Sequence, residues 1–239
     1  PYHGRRFDQE GRLSHATGFE DALGFPGADD HLRPAELART GPLRWTQLLG
    51  ALPRMPELSE AVSARDWSGA RFDGVQDYEL DANWALYVDN YLEGLHVPFV
   101  HPSLSGALDL GAYRVELFDT GALQVGVDAE GRDAALYYWI FPNTMVNLYD
   151  WGLSLNVVQP QGVGRTRIRY ARWVIQPELL ETGPGAALDT VELEDHEVVL
   201  RCQEGLRSRL YGRGRYSPRH ERAVHHFHRL LIERLFSPD

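Results

Sequence analysis

Two histidines and two acids lie among aromatic and aliphatic residues in the stretch 83–104, which reads NWALYVDNYLEGLHVPFVHPSL. Ionisable groups in so apolar a segment need partners, so this stretch constrains the fold more than any other. Glu93 and His96 are three residues apart and share one face of a predicted helix. His96 and His101 are five apart, so we expect Pro98 to turn the chain and let the two imidazoles converge.

A third candidate ligand is Asp195, in the predicted helical stretch VELEDHEVVLRCQEGL. It falls on an apolar stripe at helical spacing, formed by Val191, Val198, Val199 and Cys202. Its neighbour Glu194 is expected to turn away, toward Glu197 and Arg201. An ionised carboxylate on an apolar stripe needs a cation, and no arginine shares the stripe at close spacing. His96, His101 and Asp195 are therefore predicted to hold a metal, as the two-histidine, one-carboxylate triad of non-haem iron(II) oxygenases does.

Composition excludes several other function classes. The chain contains no lysine, so lysine Schiff-base and P-loop chemistry are excluded, and its single cysteine, Cys202, excludes a disulfide framework. A formal net charge of −10 argues against nucleic acid or an anionic membrane as partner. No apolar run approaches the roughly 20 residues that cross a bilayer, so we expect a cytoplasmic protein.

The order of apolar patterns predicts an α+β fold. Period-two alternation, clearest over 153–157, predicts antiparallel strands through the middle of the chain, with a bulge near residue 170. Helices are predicted over 45–63, 81–95, 187–211 and 218–236. We expect a sheet curved around an interior cavity and closed by a long helix. Residues 1–45, rich in Gly, Pro and charge, are predicted to be the tail of a small domain, and 46–239 the main domain.

These residues resemble the α-subunits of Rieske-type non-haem iron oxygenases, also called aromatic-ring-hydroxylating oxygenases. The family's first catalytic block is matched by seven residues, namely Asn83, Trp84, Asp89, Asn90, Glu93, His96 and His101. Its later Glu-Asp pair followed by Gln on a helix is matched by Glu194, Asp195 and Gln203. The resemblance covers essentially the whole chain and implies the helix-grip fold of START and Bet v 1-like proteins.

The resemblance also implies roles and cofactors. His96, His101 and Asp195 would hold mononuclear Fe²⁺, and Glu93 would link that iron to the Rieske cluster of a neighbouring subunit in a homotrimer. Asp89 and Asn90 would support the site. A reductase or ferredoxin would supply electrons, with O₂ and a small organic molecule as substrates.

The opening PYHGRRFD resembles the end of the family's second cluster motif, which makes His3 a remnant ligand of a 2Fe–2S centre. That centre requires two cysteines and two histidines, so this chain cannot complete it. We therefore expect a fragment of a longer product, with residues 1–45 as the end of its Rieske domain.

The substrate and two rival functions stay open at this point. Six aromatics could form sheet core or cavity wall: Tyr137, Tyr138, Trp139, Phe141, Tyr149 and Trp151. An aromatic cavity suits an arene, and equally a quaternary ammonium ion through cation–π attraction. Glutamate at position 93 resembles the choline, carnitine and glycine-betaine branch. The rivals are a small-ligand binding module and a non-catalytic subunit with a vestigial metal site. The histidines of VHHFHRLL are expected to be packed or solvated.

Overall fold

The computed structural model describes residues 3–47 and 55–236. The chain divides into two compact units, Pro1–Pro56 and Glu57–Asp239. The predicted domain boundary after residue 45 falls within a strand, Leu43–Gln47. The helix predicted over 45–63 is present only as α1 (Pro56–Ser63), because its first residues belong to that strand and 48–54 lie outside the described residues.

The first unit contains two short antiparallel hairpins. Strands β1 (Arg6–Phe7) and β2 (Leu13–His15) form one, and β3 (Glu36–Thr40) and β4 (Leu43–Gln47) form the other. His3 is exposed and lies just before β1. The Gly- and Pro-rich opening thus forms brief strands. That the unit is the end of a Rieske domain stays a prediction.

A seven-stranded antiparallel sheet forms the frame of the second unit. Its strands in chain order are β5 (Arg71–Leu80), β6 (Arg114–Phe118), β7 (Gly121–Val127), β8 (Asp133–Ile140), β9 (Thr144–Tyr149), β10 (Gly152–Gly162) and β11 (Arg165–Val174). Strands β6 to β11 form a meander in which each pairs with the next, and β5 joins the edge beside β11. The irregularity expected near residue 170 lies between Arg172 and Trp173, where β11 pairs with β5.

The helices of the second unit are shorter than the sequence predicts. After α1 they are α2 (Trp84–Tyr91), α3 (Val97–Val100), α4 (Pro102–Ala107), α5 (Leu188–Leu206) and α6 (Arg222–Phe236). Asn83 caps α2 by accepting from the backbone N–H of Ala85 at 3.0 Å. The helix predicted over 81–95 ends at Tyr91, so the turn precedes Pro98. Pro98 lies in the first turn of α3, where its missing N–H costs nothing.

The main hydrophobic core lies between the sheet and helices α2 and α6. Phe227 and Val88 are fully buried there, with Trp139 of β8 and Ile168 of β11. The α+β prediction of a large antiparallel sheet packed with long helices is confirmed. None of the helices in the described ranges has both the length and the apolar character that a bilayer crossing requires.

Candidate metal centre

His96, His101 and Asp195 meet at one point of the second unit. His96 precedes α3, His101 separates α3 from α4, and Asp195 lies in the middle of α5. The Asp195 Oδ1 atom is 2.9 Å from Nε2 of His101 and 3.5 Å from Nε2 of His96. One ligand atom from each residue lies within 4.8 Å of the other two, and in the described part of the chain no other group of histidine, cysteine and acidic side chains does this.

Each imidazole is held from its far side by a carboxylate. Nδ1 of His101 is 2.7 Å from Oε2 of Glu194, and Nδ1 of His96 contacts Oε1 of Glu93. The other Glu93 oxygen accepts the backbone N–H groups of Leu95 and His96, which fixes the turn after α2. A proton on each Nδ1 leaves Nε2 of both rings with a free lone pair directed toward Asp195.

Asn90 of α2 orients the third ligand. Its Nδ2 donates to Asp195 Oδ1 at 2.6 Å, so α2 and α5 are joined at the centre of the site. The neighbouring carboxylates also change the pKa of His101. Burial alone lowers the pKa of His101, but the carboxylates of Asp195 and Glu194 outweigh it, and the net pKa is raised.

The donor set fits a divalent transition metal. Two imidazole nitrogens and one carboxylate oxygen suit iron(II), and three protein ligands leave further coordination positions open. The two carboxylates behind the rings match the outer partners that ligating histidines have in metal sites. Among described residues the trio therefore has both the ligands and the supporting contacts of such a centre.

The trio opens into a cavity between the inner face of the sheet and helices α2 to α5. The cavity volume is about 100 Å³, several times the ~10–15 Å³ that one water requires. Six tyrosines line it: Tyr87, Tyr91, Tyr113, Tyr137, Tyr149 and Tyr170. Burial raises the pKa of each of them, so their hydroxyl groups stay protonated at neutral pH.

Glu192 of α5, which is apart from the trio and its supporting carboxylates, lines the same cavity. Glu192 is only 5% exposed, and Tyr87 donates its hydroxyl to the Glu192 carboxylate at 2.7 Å. Nε2 of His196 lies 3.0 Å from Oε1 of the same carboxylate. The α5 face that turns inward therefore carries Glu192 and His196 beside Val199, and not a purely apolar stripe. Cys202, predicted to share the stripe, is exposed.

Several predicted residues lie elsewhere. Asp89 does not line this cavity, and its Oδ1 is 2.9 Å from Nε2 of His228 on α6. His226 contacts the Phe118 carbonyl oxygen at 2.7 Å, so the histidines of α6 do not converge on a metal. Of the six aromatics in question, Tyr137 and Tyr149 line the cavity. The remainder are absent from its wall: Tyr138, Trp139, Phe141 and Trp151.

The expectation for Glu194 is wrong. Glu194 turns to His101, and it is Glu197 that pairs with Arg201. Helix-face reasoning considers only neighbours on the same helix, and His101 is 93 positions away in sequence. Sequence reasoning also missed Glu192 and the amide side chains that the sheet contributes to the cavity, namely Gln124, Asn147 and Asn156. Only the unusual density of acids in ELEDHE hinted that α5 carries more than one functional carboxylate.

Comparison with known proteins gives consistent matches. Residues 68–237 match the family described as the catalytic domain of the ring hydroxylating alpha subunit. Choline monooxygenase of Arabidopsis thaliana is 30% identical over 264 aligned positions, covering 98% of this chain and 62% of that protein. The carnitine monooxygenase oxygenase subunit of Escherichia coli K12 is 28% identical, covering 98% and 70%. The chain thus spans less than two thirds of the Arabidopsis relative.

Solved structures share the fold. A quaternary ammonium Rieske monooxygenase in complex with L-carnitine aligns with a TM-score of 0.75 at 21% identity, over 98% of this chain and 70% of that one. Naphthalene 1,2-dioxygenase from Rhodococcus aligns with a TM-score of 0.69 at 18% identity, over 100% and 76%. At such identities the likeness establishes the architecture of a large antiparallel sheet packed with helices.

Proposed function

Because the chain belongs to the family of ring-hydroxylating alpha subunits through its catalytic domain, we propose that it is the catalytic part of an iron- and O₂-dependent oxygenase. It would insert oxygen into a small quaternary ammonium compound by hydroxylation, oxidative demethylation or C–N cleavage. The observation that carries this proposal is the convergence of His96, His101 and Asp195 within 4.8 Å at the wall of a cavity.

His96 and His101 would hold the metal through Nε2, and Asp195 would hold it through its carboxylate. A ferrous ion bound there would supply O₂ binding and activation. Neighbouring side chains orient these ligands. Glu93 and Glu194 accept hydrogen bonds from the Nδ1–H groups of the two rings, and Asn90 fixes the rotamer of Asp195.

Glu93 is the residue proposed to couple electron delivery to protonation. Its carboxylate contacts Nδ1 of His96 and is 15% exposed, so it lies between a ligand and the surface. Movement of a proton between Nδ1 of His96 and Glu93 changes the charge on the ring as an electron arrives. Asn90 supports the site by donating a hydrogen bond to Asp195. For Asp89, which pairs with His228 on α6, we propose a supporting role outside the cavity.

The cavity favours a cationic substrate over an arene. Six tyrosine rings suit either ligand, since both bind aromatic faces. Glu192, which is apart from the proposed metal ligands, also lines the cavity, and no lysine or arginine is among the described lining residues. A quaternary ammonium ion in a buried acidic pocket is stabilised by both features, whereas a neutral arene uses only one. The relatives named for choline and carnitine agree with this choice.

Further components are part of the proposal. A 2Fe–2S cluster, partly held by His3, would belong to the longer product, since this chain covers 62% of the Arabidopsis relative. One related structure is described as revealing inter-subunit electron transfer, and we expect this chain likewise to act in a homotrimer. A reductase or ferredoxin would supply electrons in the cytoplasm, with no nucleic acid or membrane partner.

Oxygen consumption tests the proposal. The full-length product, reconstituted with iron, its cluster and a reductase, is expected to consume O₂ faster when trimethylammonium compounds are added, with an oxygenated product detected by mass spectrometry. Asp195→Ala should abolish both signals, and Glu197→Ala, exposed on the same helix, should retain them. Binding of trimethylammonium compounds without any product would instead identify a binding module, and would refute the proposal.

A further inference from the structure

Three buried polar atoms in the cavity wall have no hydrogen-bond partner among the described residues. They are Oε1 of Gln124, Oδ1 of Asn156 and the hydroxyl of Tyr137, and all three residues line the cavity. Gln124 is 1% exposed and Asn156 is 4% exposed. Because a buried polar atom without a partner destabilises the fold, these positions point to a ligand that completes their hydrogen bonds.

The contacts of the two amides fix which atom faces the cavity. The nitrogen and oxygen of a side-chain amide are distinguished by their hydrogen-bond partners. Nε2 of Gln124 donates to the Tyr91 carbonyl oxygen at 2.6 Å, which leaves Oε1 of Gln124 to face the cavity. In Asn156 it is Oδ1 that is buried without a partner among the described residues. Both amides therefore present carbonyl oxygens, which accept hydrogen bonds and cannot donate them.

Gln124 and Tyr137 can serve the same ligand group. They are directly paired across strands β7 and β8, so their side chains lie side by side on the inner face of the sheet. A hydroxyl group placed between them would donate to Oε1 of Gln124 and accept from the Tyr137 phenol. A carboxylate could use only the phenol, and its charge would face the Gln124 oxygen.

The described side chains that line the cavity offer an anionic ligand group no arginine or lysine as a partner. Glu192 is buried in the wall, and the described lining residues include no arginine or lysine that could pair with a carboxylate. The Nδ1 atoms of His96 and His101 are already used by Glu93 and Glu194. A ligand carboxylate would thus lose its hydration without gaining a counter-ion from the protein.

We propose that the cavity selects a quaternary ammonium compound whose second functional group is an uncharged hydrogen-bond donor, such as a hydroxyl, and discriminates against compounds that carry a carboxylate. The inference rests on the proposed function and narrows its substrate class. The tyrosine rings and Glu192 bind the ammonium head, and Gln124 with Tyr137 bind the donor.

Calorimetric titration of the iron-loaded chain under anaerobic conditions tests this with three probes that share a trimethylammonium head. Choline carries a hydroxyl, n-propyltrimethylammonium replaces it with a methyl group, and glycine betaine carries a carboxylate. We expect choline to bind about fivefold to tenfold more tightly than the propyl compound, as one completed hydrogen bond gives. Glycine betaine should bind on the order of tenfold more weakly than choline.

Variants locate the effect. Gln124→Met and Tyr137→Phe should each reduce the choline-to-propyl affinity ratio toward one and leave the affinity for the propyl compound within about twofold. The conservative Tyr137→Phe change serves if Gln124→Met does not fold. Gln76→Met, at an exposed position of β5 outside the cavity, should leave the ratio unchanged.

Equal binding of choline and the propyl compound, or glycine betaine binding as tightly as choline, would overturn the inference and leave the proposed function intact. If none of the three ammonium compounds binds, the proposed function itself fails.

Discussion

Replacing Glu194 with alanine should weaken iron binding without removing a metal ligand. The Glu194 carboxylate accepts from Nδ1 of His101 at 2.7 Å, and the ring that it orients is 1% exposed. Without it the ring loses both its orientation and the preference for a proton on Nδ1. Loss of such a partner reduces metal affinity by about 10- to 100-fold, which is about 1.4 to 2.8 kcal/mol.

Competition against a chelator of known Fe²⁺ affinity, performed anaerobically, measures this change. Glu194→Gln retains an acceptor oxygen and should lose less affinity than Glu194→Ala. The matched control is Glu197→Ala, three residues further along α5, where the exposed side chain pairs with Arg201. The iron affinity of this variant should stay within about twofold of the parent. Parent-like affinity in Glu194→Ala would refute the argument that this carboxylate supports the site.

Two further predictions concern stability. The Tyr87 hydroxyl lies within hydrogen-bond distance of both oxygens of the buried Glu192 carboxylate. Its removal in Tyr87→Phe should lower the free energy of unfolding in urea by about 1.5–3 kcal/mol, and an unchanged midpoint would contradict this. Tyr211→Phe, at an exposed position, is the control. The ion pair with Asp89 raises the pKa of His228 above 6.5, against the opposing effect of burial. The stabilisation of the fold by the Asp89–His228 pair is therefore complete below about pH 6.5, and it is lost as the pH rises through the raised pKa of His228. The stability difference between the parent and His228→Gln should shrink over that range, and a difference that grows with pH would refute the assignment.

The sequence carried enough information to predict that His96, His101 and Asp195 lie close together. Pro98 and the spacing of His96 and His101 required a turn, and Asp195 on an apolar stripe required a cation. The structure brings the three together, but the turn forms earlier, at the end of α2, because the Glu93 carboxylate captures the backbone N–H groups that follow it. Periodicity alone carries no information on such a capture.

What sequence reasoning missed depends on contacts between distant elements. The orientation of Glu194 is set by His101 from another element, and the burial of Glu192 is set by Tyr87, 105 positions away. Gln124 gives no sequence signal as a cavity residue, since it lies in a strand whose other residues are buried and apolar. The antiparallel strands through the middle of the chain were predicted correctly, since local alternation indicates them.

Iron content after anaerobic reconstitution shows whether His96, His101 and Asp195 hold a metal. We expect one Fe²⁺ per chain in the parent protein and in the control His225→Ala, whose histidine is exposed on α6. His96→Ala, His101→Ala and Asp195→Ala should each lose most of that iron while retaining the circular dichroism spectrum of the folded chain. Full iron content in any of these three variants would contradict the claim that these side chains hold the metal.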